Sequence, residues 1–190
     1  MYEVEVKVEA AHDAVRPVLH ELGADALGNV RQVDTYYDAP HRDFAATDEA
    51  LRLRRERGPD GGDPSTVLTY KGPLVEAASK TREEVESAVD DGDATEAILS
   101  GLGFDPAATV AKDRERFDLE GFVITLDAVD GLGEFVEVET DVDREADVER
   151  AREGAVDVLR ALDLDPDEGI RTSYLGLLLD APNGAADDCE

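Results

Sequence analysis

The chain has 190 residues, a hydrophobic fraction of 42% and a formal net charge of -28, with 47 acidic side chains against 19 lysines and arginines. That length accommodates one domain with a real core. No apolar run is long enough to span a bilayer, and so negative a field argues against nucleic acid or anionic membrane as a partner of the general surface. The N-terminus carries no charged-then-apolar export pattern. The single cysteine, Cys189, has no intrachain partner for a disulfide or a metal site. Both features point to a cytoplasmic protein. The acids are dispersed rather than blocked, which favours a halophilic, solvated surface over an acidic interaction module. In such a chain each of the few basic residues is informative.

After the initiator, residues 2–9 alternate, with Glu3, Glu5, Lys7 and Glu9 on one side and Val4, Val6 and Val8 on the other. This is a strand with one apolar and one charged face. Val15, Val18, Leu19 and Leu22 space a helix over 11–23, closed by Gly23. RQVDTYYD (31–38) reads as a strand stopped by Pro40. Leu51 and Leu53 alternate with Arg52 and Arg54, and the turn cluster GPDGGDPS joins 50–57 to 66–71 as a hairpin. TREEVESAV (81–89) fits a strand with Arg82, Glu84 and Glu86 on one face, and locally fits a helix as well. ATEAILSGLG (94–103) is a short helix. VAKDRERFDL, GFVITLDAV and GEFVEVETDV are three successive strands, residues 145–164 are the longest helix, and 172–180 form a short apolar element. Residues 1–180 therefore make one α+β domain whose antiparallel strands suit a closed barrel, followed by a disordered acidic tail over 181–190.

The charged faces are segregated. Lys7, Arg52, Arg54, Lys71, Arg82, Lys112, Arg114 and Arg116 lie on strands whose other faces are largely apolar, and Asp127, Glu137 and Glu139 follow the same rule. A barrel with apolar faces under helices and charged faces lining a lumen would account for this. Buried charges must then pair with each other or with a ligand. A triphosphate with a divalent metal suits such a set, because guanidinium groups bind phosphate oxygens bidentately and carboxylates hold Mg2+ or Mn2+.

Glu3-x-Glu5-x-Lys7, QVDTYYDAPHRDFAATDEALRLRR, TYKGP, SKTREEVE, KDRERF, ITLDAVDGLGEFVEVE and TSYLGLL, in this order, resemble the CYTH superfamily of triphosphate tunnel enzymes. The second and sixth blocks are most similar to the class IV adenylate cyclase branch. The resemblance implies an antiparallel eight-stranded tunnel, often a homodimer, that binds ATP or another triphosphate with Mg2+ or Mn2+. It implies Glu3, Glu5, Glu137 and Glu139 as metal ligands, and Arg52, Arg54, Lys71, Arg82, Lys112 and Arg114 as substrate-binding residues. It also implies Lys7, Arg114 and Asp127 as catalytic residues, with Lys7 holding a phosphate and Asp127 near the metal or the reacting hydroxyl. The implied activity is an adenylate cyclase; a metal-dependent triphosphatase and a non-catalytic polyphosphate or nucleotide binder are the alternatives. Glu84 and Glu86 read nearly as well as surface acids as lumen ones, and Arg116 as lumen or rim. Tyr36, Tyr37 and Tyr174 read as packing residues, and His12, His20 and His41 as surface residues without partners.

Overall fold

The computed structural model describes residues 1–76 and 81–180; the expected acidic tail and Cys189 lie outside these. Eight antiparallel strands close into a barrel in the order β1-β5-β4-β3-β2-β6-β7-β8. They are β1 (Tyr2–Glu9), β2 (Asp25–Asp38), β3 (Ala50–Arg57), β4 (Ser65–Glu76), β5 (Thr81–Val89), β6 (Asp105–Leu119), β7 (Phe122–Val129) and β8 (Gly133–Val142). Two meanders, β2 to β5 and β6 to β8, are joined through the β2–β6 pair, and β1 closes the ring between β5 and β8. Segment 81–89 is a strand, settled by its pairing with β4. The β2 and β6 strands both begin earlier than the sequence pattern indicates. Residues 25–30 and 114–118 pair around a bulge between Ala26 and Gly28, where Gly28 has φ of 108°. The added start of β2, DALGN, mixes acidic, small and apolar residues, and β6 opens with Asp105-Pro106-Ala107-Ala108 beside Tyr36 to Asp38, so neither start shows a two-residue periodicity.

Among the described residues, five helices sit around the strands: α1 (His12–Glu21), α2 (Phe44–Thr47), α3 (Gly92–Gly101), α4 (Val148–Ala161) and α5 (Tyr174–Asp180). The expected helix over 145–164 opens instead with a 3-10 turn at Glu145–Asp147, and the short apolar element over 172–180 is α5. The main core lies outside the barrel. Val8 of β1, Ile124 and Leu126 of β7, and Val136 and Val138 of β8 pack against Val15 and Leu19 of α1 and Val158 and Leu159 of α4. A fully buried residue of this size contributes about 1.5–3 kcal/mol, so this layer keeps the apolar faces outward and commits the alternate residues to the lumen. Leu99 of α3 covers Tyr37 and Leu53 in the same way on the opposite wall.

The pairing of β1 with β5 is limited to Tyr2 with Glu83 and Glu3 with Arg82. Beyond it, the chain leading into α5 runs along β1, where the Ile170 N–H donates to the Lys7 carbonyl at 2.7 Å. It then delivers α5 to the barrel end. There Tyr174 joins Val110, Val129 and Phe135 in an apolar cluster flanked by Leu175, Leu177 and Leu178.

Gly154 sits inside α4 although glycine disfavours helix interiors. A Cβ there would lie 2.6 Å from Phe122 Cζ, so the glycine allows the helix to approach β7. Gly154→Leu should lower stability by about 1–3 kcal/mol through overpacking, read as a reduced thermal midpoint. An unchanged midpoint would show that Phe122 swings aside freely.

Candidate active site

The lumen side chains surround a cavity of about 410 Å³. Arg52, Arg54, Lys71, Arg82, Lys112 and Arg114 all line it, as do Glu3, Glu5, Glu137 and Glu139. Strand alternation brings them there: Glu3 and Glu5 from β1, Arg52 and Arg54 from β3, Lys112 and Arg114 from β6, Glu137 and Glu139 from β8. Three linked ion clusters organise the wall. In the first, Arg114 forks onto Asp127 with bonds of 2.6 and 2.5 Å and also donates to Glu137, while Lys112 donates to Asp127 at 2.8 Å. Lys7 stands 4.0 Å from the other Glu137 oxygen. In the second, Arg54 forks onto Asp34 with two bonds of 2.7 Å, and Arg52 lies 3.6 Å from Asp34. In the third, Lys71 bridges Glu3 at 2.8 Å and Glu84 at 2.6 Å, and Arg52 reaches Glu84 and Glu86.

Electrostatics follows from this pairing. Burial pulls the Lys112 ammonium pKa down, helped by neighbouring Arg114 and opposed by Asp127. Asp34 is held well below the carboxylate range because its bonds and charge contacts with Arg54 and Arg52 outweigh burial. Glu3 and Glu84 share one environment. Lys71 keeps Glu3 ionised against the pull of burial, whereas burial raises Glu84, reinforced by the adjacent Glu3 charge.

The cavity is lined by six cationic side chains and ten carboxylates, so acids exceed bases by four. The excess concentrates where β1 meets β8: Glu3 stands opposite Asp141 and Glu5 opposite Glu139, with Lys7 opposite Glu137. Acids directly opposed on one sheet face repel each other. Burial accordingly pushes Glu139 up to about 7, opposed by Arg114 and reinforced by Glu3, Glu137 and Glu5. No set of three or more acidic, histidine or cysteine side chains among the described residues converges closely enough to form a ready-made metal cage. The opposed acid pairs are nonetheless a hard-oxygen donor set whose repulsion a divalent cation would relieve.

Two sequence candidates sit differently from expectation. Asp127 is fully buried behind Lys112 and Arg114 and does not line the cavity; it holds both cations in place. Lys7, also buried, donates to the Thr172 carbonyl at 2.8 Å and lies 4.1 Å from the Tyr174 ring centroid. It borders a second cavity of about 340 Å³ on the α4 side rather than the main one. Glu84 and Glu86 line the main cavity, whereas Arg116 does not and pairs with Glu56. His12 is buried at the start of α1, 3.1 Å from the Phe135 carbonyl, because that helix packs on the edge of β8. Tyr174 packs on Phe135 and lines the main cavity as well. Asp34 and Asp141 are lumen residues that sequence reasoning passed over. Asp141 continues the Glu137, Glu139 alternation and was legible from it, while Asp34 is masked by its uncharged neighbours in QVDTYY.

Two outcomes follow. Asp127→Ala leaves Lys112 and Arg114 without their shared carboxylate and should destabilise the fold by about 3–5 kcal/mol, measurable by urea denaturation. Because the folded Glu139 carboxyl is raised from 4.5 to about 7, folding keeps a proton that the unfolded chain releases, so this group weakens the metal-free protein as pH climbs from 4.5 to 7. Glu139→Gln should therefore melt at least a few degrees above wild type at pH 7.5, by roughly the size scaling of midpoints, with little difference near pH 4.5. An equal offset at both values would exclude this titration.

A family model of the CYTH domain matches residues 1–174. MJ0240 of Methanocaldococcus jannaschii, provisionally named an adenylate cyclase, is 36% identical over 178 residues, covering 93% of this chain and 98% of that protein. The adenylate cyclase CyaB of Aeromonas hydrophila is 26% identical over 149 residues, covering 76% of this chain and 72% of its own length. The solved PH1819 protein from Pyrococcus horikoshii OT3 superposes with a TM-score of 0.86 at 40% identity, covering 93% of this chain and 98% of that one. The closed tunnel, its charged lumen and these matches together establish that the chain belongs to the CYTH domain family.

Proposed function

We propose that the protein is an adenylate cyclase that converts ATP to cyclic AMP and pyrophosphate with Mg2+ or Mn2+ in its tunnel. The observation that carries this reading is the meeting of six cationic side chains with the opposed acids of β1 and β8 around one cavity. The names of MJ0240 and CyaB support the cyclase assignment within that chemistry. Tyr36, Phe44, Leu175 and Leu179 line the same cavity and offer apolar surface to a nucleoside, which a bare inorganic polyphosphate does not need. The same substrate suits a cytoplasmic location, and the acid-rich surface suits high salt.

In the reaction the ribose 3′-oxygen bonds to the α-phosphorus, the bond from that phosphorus to the oxygen bridging it to the β-phosphorus breaks, pyrophosphate departs with that oxygen, and the hydroxyl proton passes to solvent water. Arg52, Arg54 and Arg114 hold phosphate oxygens, oriented by Asp34, Asp127 and Glu137 so that little is lost in ordering them on binding. Lys71 and Arg82 neutralise the far end of the triphosphate. Glu3, Glu5, Glu137 and Glu139 are the residues that would hold the divalent metal. The bound metal supplies Lewis-acid polarisation and offsets the charge of the leaving pyrophosphate. Glu139, poised near neutrality, must lose its proton before it serves as a metal ligand.

A triphosphatase is the second reading, because the phosphate clamp of six cations serves hydrolysis at the γ-phosphorus equally well. Product identification separates the two. ATP incubated with the protein and Mg2+ or Mn2+ in high salt should give cyclic AMP and pyrophosphate; orthophosphate without cyclic product would replace the cyclase by the hydrolase. Glu5→Gln and Glu139→Gln should each lower metal-dependent turnover about a hundredfold, and wild-type turnover in both would remove them from the metal site. Metal affinity, followed by calorimetry, should rise as pH passes through 7 with deprotonation of Glu139.

A further inference from the structure

Tyr174 enters the tunnel at the first residue of α5. The chain on its N-terminal side is clamped to β1 by the Ile170 bond to the Lys7 carbonyl and by the Lys7 bond to the Thr172 carbonyl. Its ring lies edge-on to Phe135 with centroids 5.1 Å apart, and the ammonium groups of Lys7 and Lys112 stand 4.1 and 4.8 Å from the ring centroid. Cations at that range are attracted by an aromatic face. The ring is therefore fixed by an apolar neighbour and two cations, and a phenylalanine would make the same contacts.

The hydroxyl is not explained by that packing. The residue is 7% exposed and lines the main cavity, yet its oxygen has no hydrogen-bond partner among the described residues. A buried hydroxyl left unsatisfied is a net cost to the fold. Burial and the negative charges of Glu137 and Asp127 hold the phenol firmly in its protonated, donor form. Arg52, on another wall of the cavity, shows the same feature: its buried Nε also has no acceptor among the described residues. Two donors of one cavity thus lack acceptors among the described residues, and an oxyanion in that cavity would satisfy both.

We propose that Tyr174 is a substrate-contacting residue whose hydroxyl donates a hydrogen bond to a phosphoryl oxygen of the triphosphate drawn in by Lys112 and Arg114. This rests on the triphosphate reading given above. It makes α5 part of the binding site, so that the same residue that packs against the barrel end also senses an anion in the cavity. A neutral donor suits this wall, because it adds a phosphate contact without adding a charge beside Lys112, whose ammonium is already disfavoured by burial and by Arg114.

Tyr174→Phe tests the assignment, with Tyr37→Phe, which is buried outside the cavity, as the control. Binding of tripolyphosphate and of ATP is measured by calorimetry in the presence of Mg2+, alongside thermal melting. Tyr174→Phe should melt at or above the wild-type midpoint and bind both ligands about tenfold more weakly, the loss expected for a bond to a charged group, with KM raised by a similar factor; Tyr37→Phe should bind as wild type. Wild-type affinity in Tyr174→Phe would overturn the assignment and leave the triphosphate reading standing. A loss of affinity that comes only with a lowered midpoint would make the hydroxyl structural and overturn it too. Failure of the wild-type protein to bind either ligand would overturn the triphosphate reading itself, and this inference with it.

Discussion

The fork of Arg114 on Asp127, with Lys112 on the same carboxylate, is the contact on which the tunnel depends. All three groups are nearly inaccessible to water, where an unpaired charge would be prohibitive. One carboxylate serving two cations lets β6 carry a pair of positive charges into the lumen beside β7. Glu137 then extends the chain of charges across β8 to Lys7 on β1. The wall is thus a continuous network across four adjacent strands, and closing the barrel is what brings its two ends into register. Replacing such a network by apolar residues would often leave stability unchanged or improved. Its retention in the lumen is understood as a binding device.

The network is deliberately incomplete in charge. Acids outnumber bases around the cavity, and the surplus collects where β1 and β8 place Glu3 against Asp141 and Glu5 against Glu139. Burial raises the Glu139 and Asp141 carboxyls, and the neighbouring acids of this seam add to the rise. The opposite wall, with Arg52 and Arg54 oriented by Asp34, is pre-arranged for anions. A divalent cation would relieve the repulsion of the acid seam, and a phosphate chain would find its partners among the cations of the opposite wall. The general acidity of the surface is a separate matter, since it is spread over exposed positions and leaves the lumen's own pattern intact.

The C-terminal helix ties the site to the fold. It reaches the lumen because β1 and β5 pair over only two residues, leaving the remaining edge of β1 to accept the segment before α5. Tyr174 then closes the barrel end and covers Lys7, so a residue read from the sequence as a direct phosphate ligand is found anchoring the helix through Thr172. Sites that carry unsatisfied donors and opposed acids give up stability for function, and here both features converge on one cavity.

The alternation of β1, of Leu51 to Arg54 in β3 and of Val136 to Glu139 in β8 determined, from sequence alone, that Glu3, Glu5 and Lys7, then Arg52 and Arg54, then Glu137 and Glu139 share a face, and the shortage of lysine and arginine singled out the cations that line the cavity. The barrel and its ten ligand candidates other than Lys7 and Asp127 were legible for that reason: a two-residue period records facing directly. Tertiary structure alone decided which charges meet the cavity and which stand behind it. Asp127 and Arg114 show the same alternation, yet one is screened by the other because its shorter side chain ends within the wall. His12 was misplaced because its partner carbonyl, on Phe135, lies 123 residues away in the chain, whereas Tyr174 packs as expected and faces the cavity as well. Local pattern records direction, whereas depth and partnership arise only when the barrel closes.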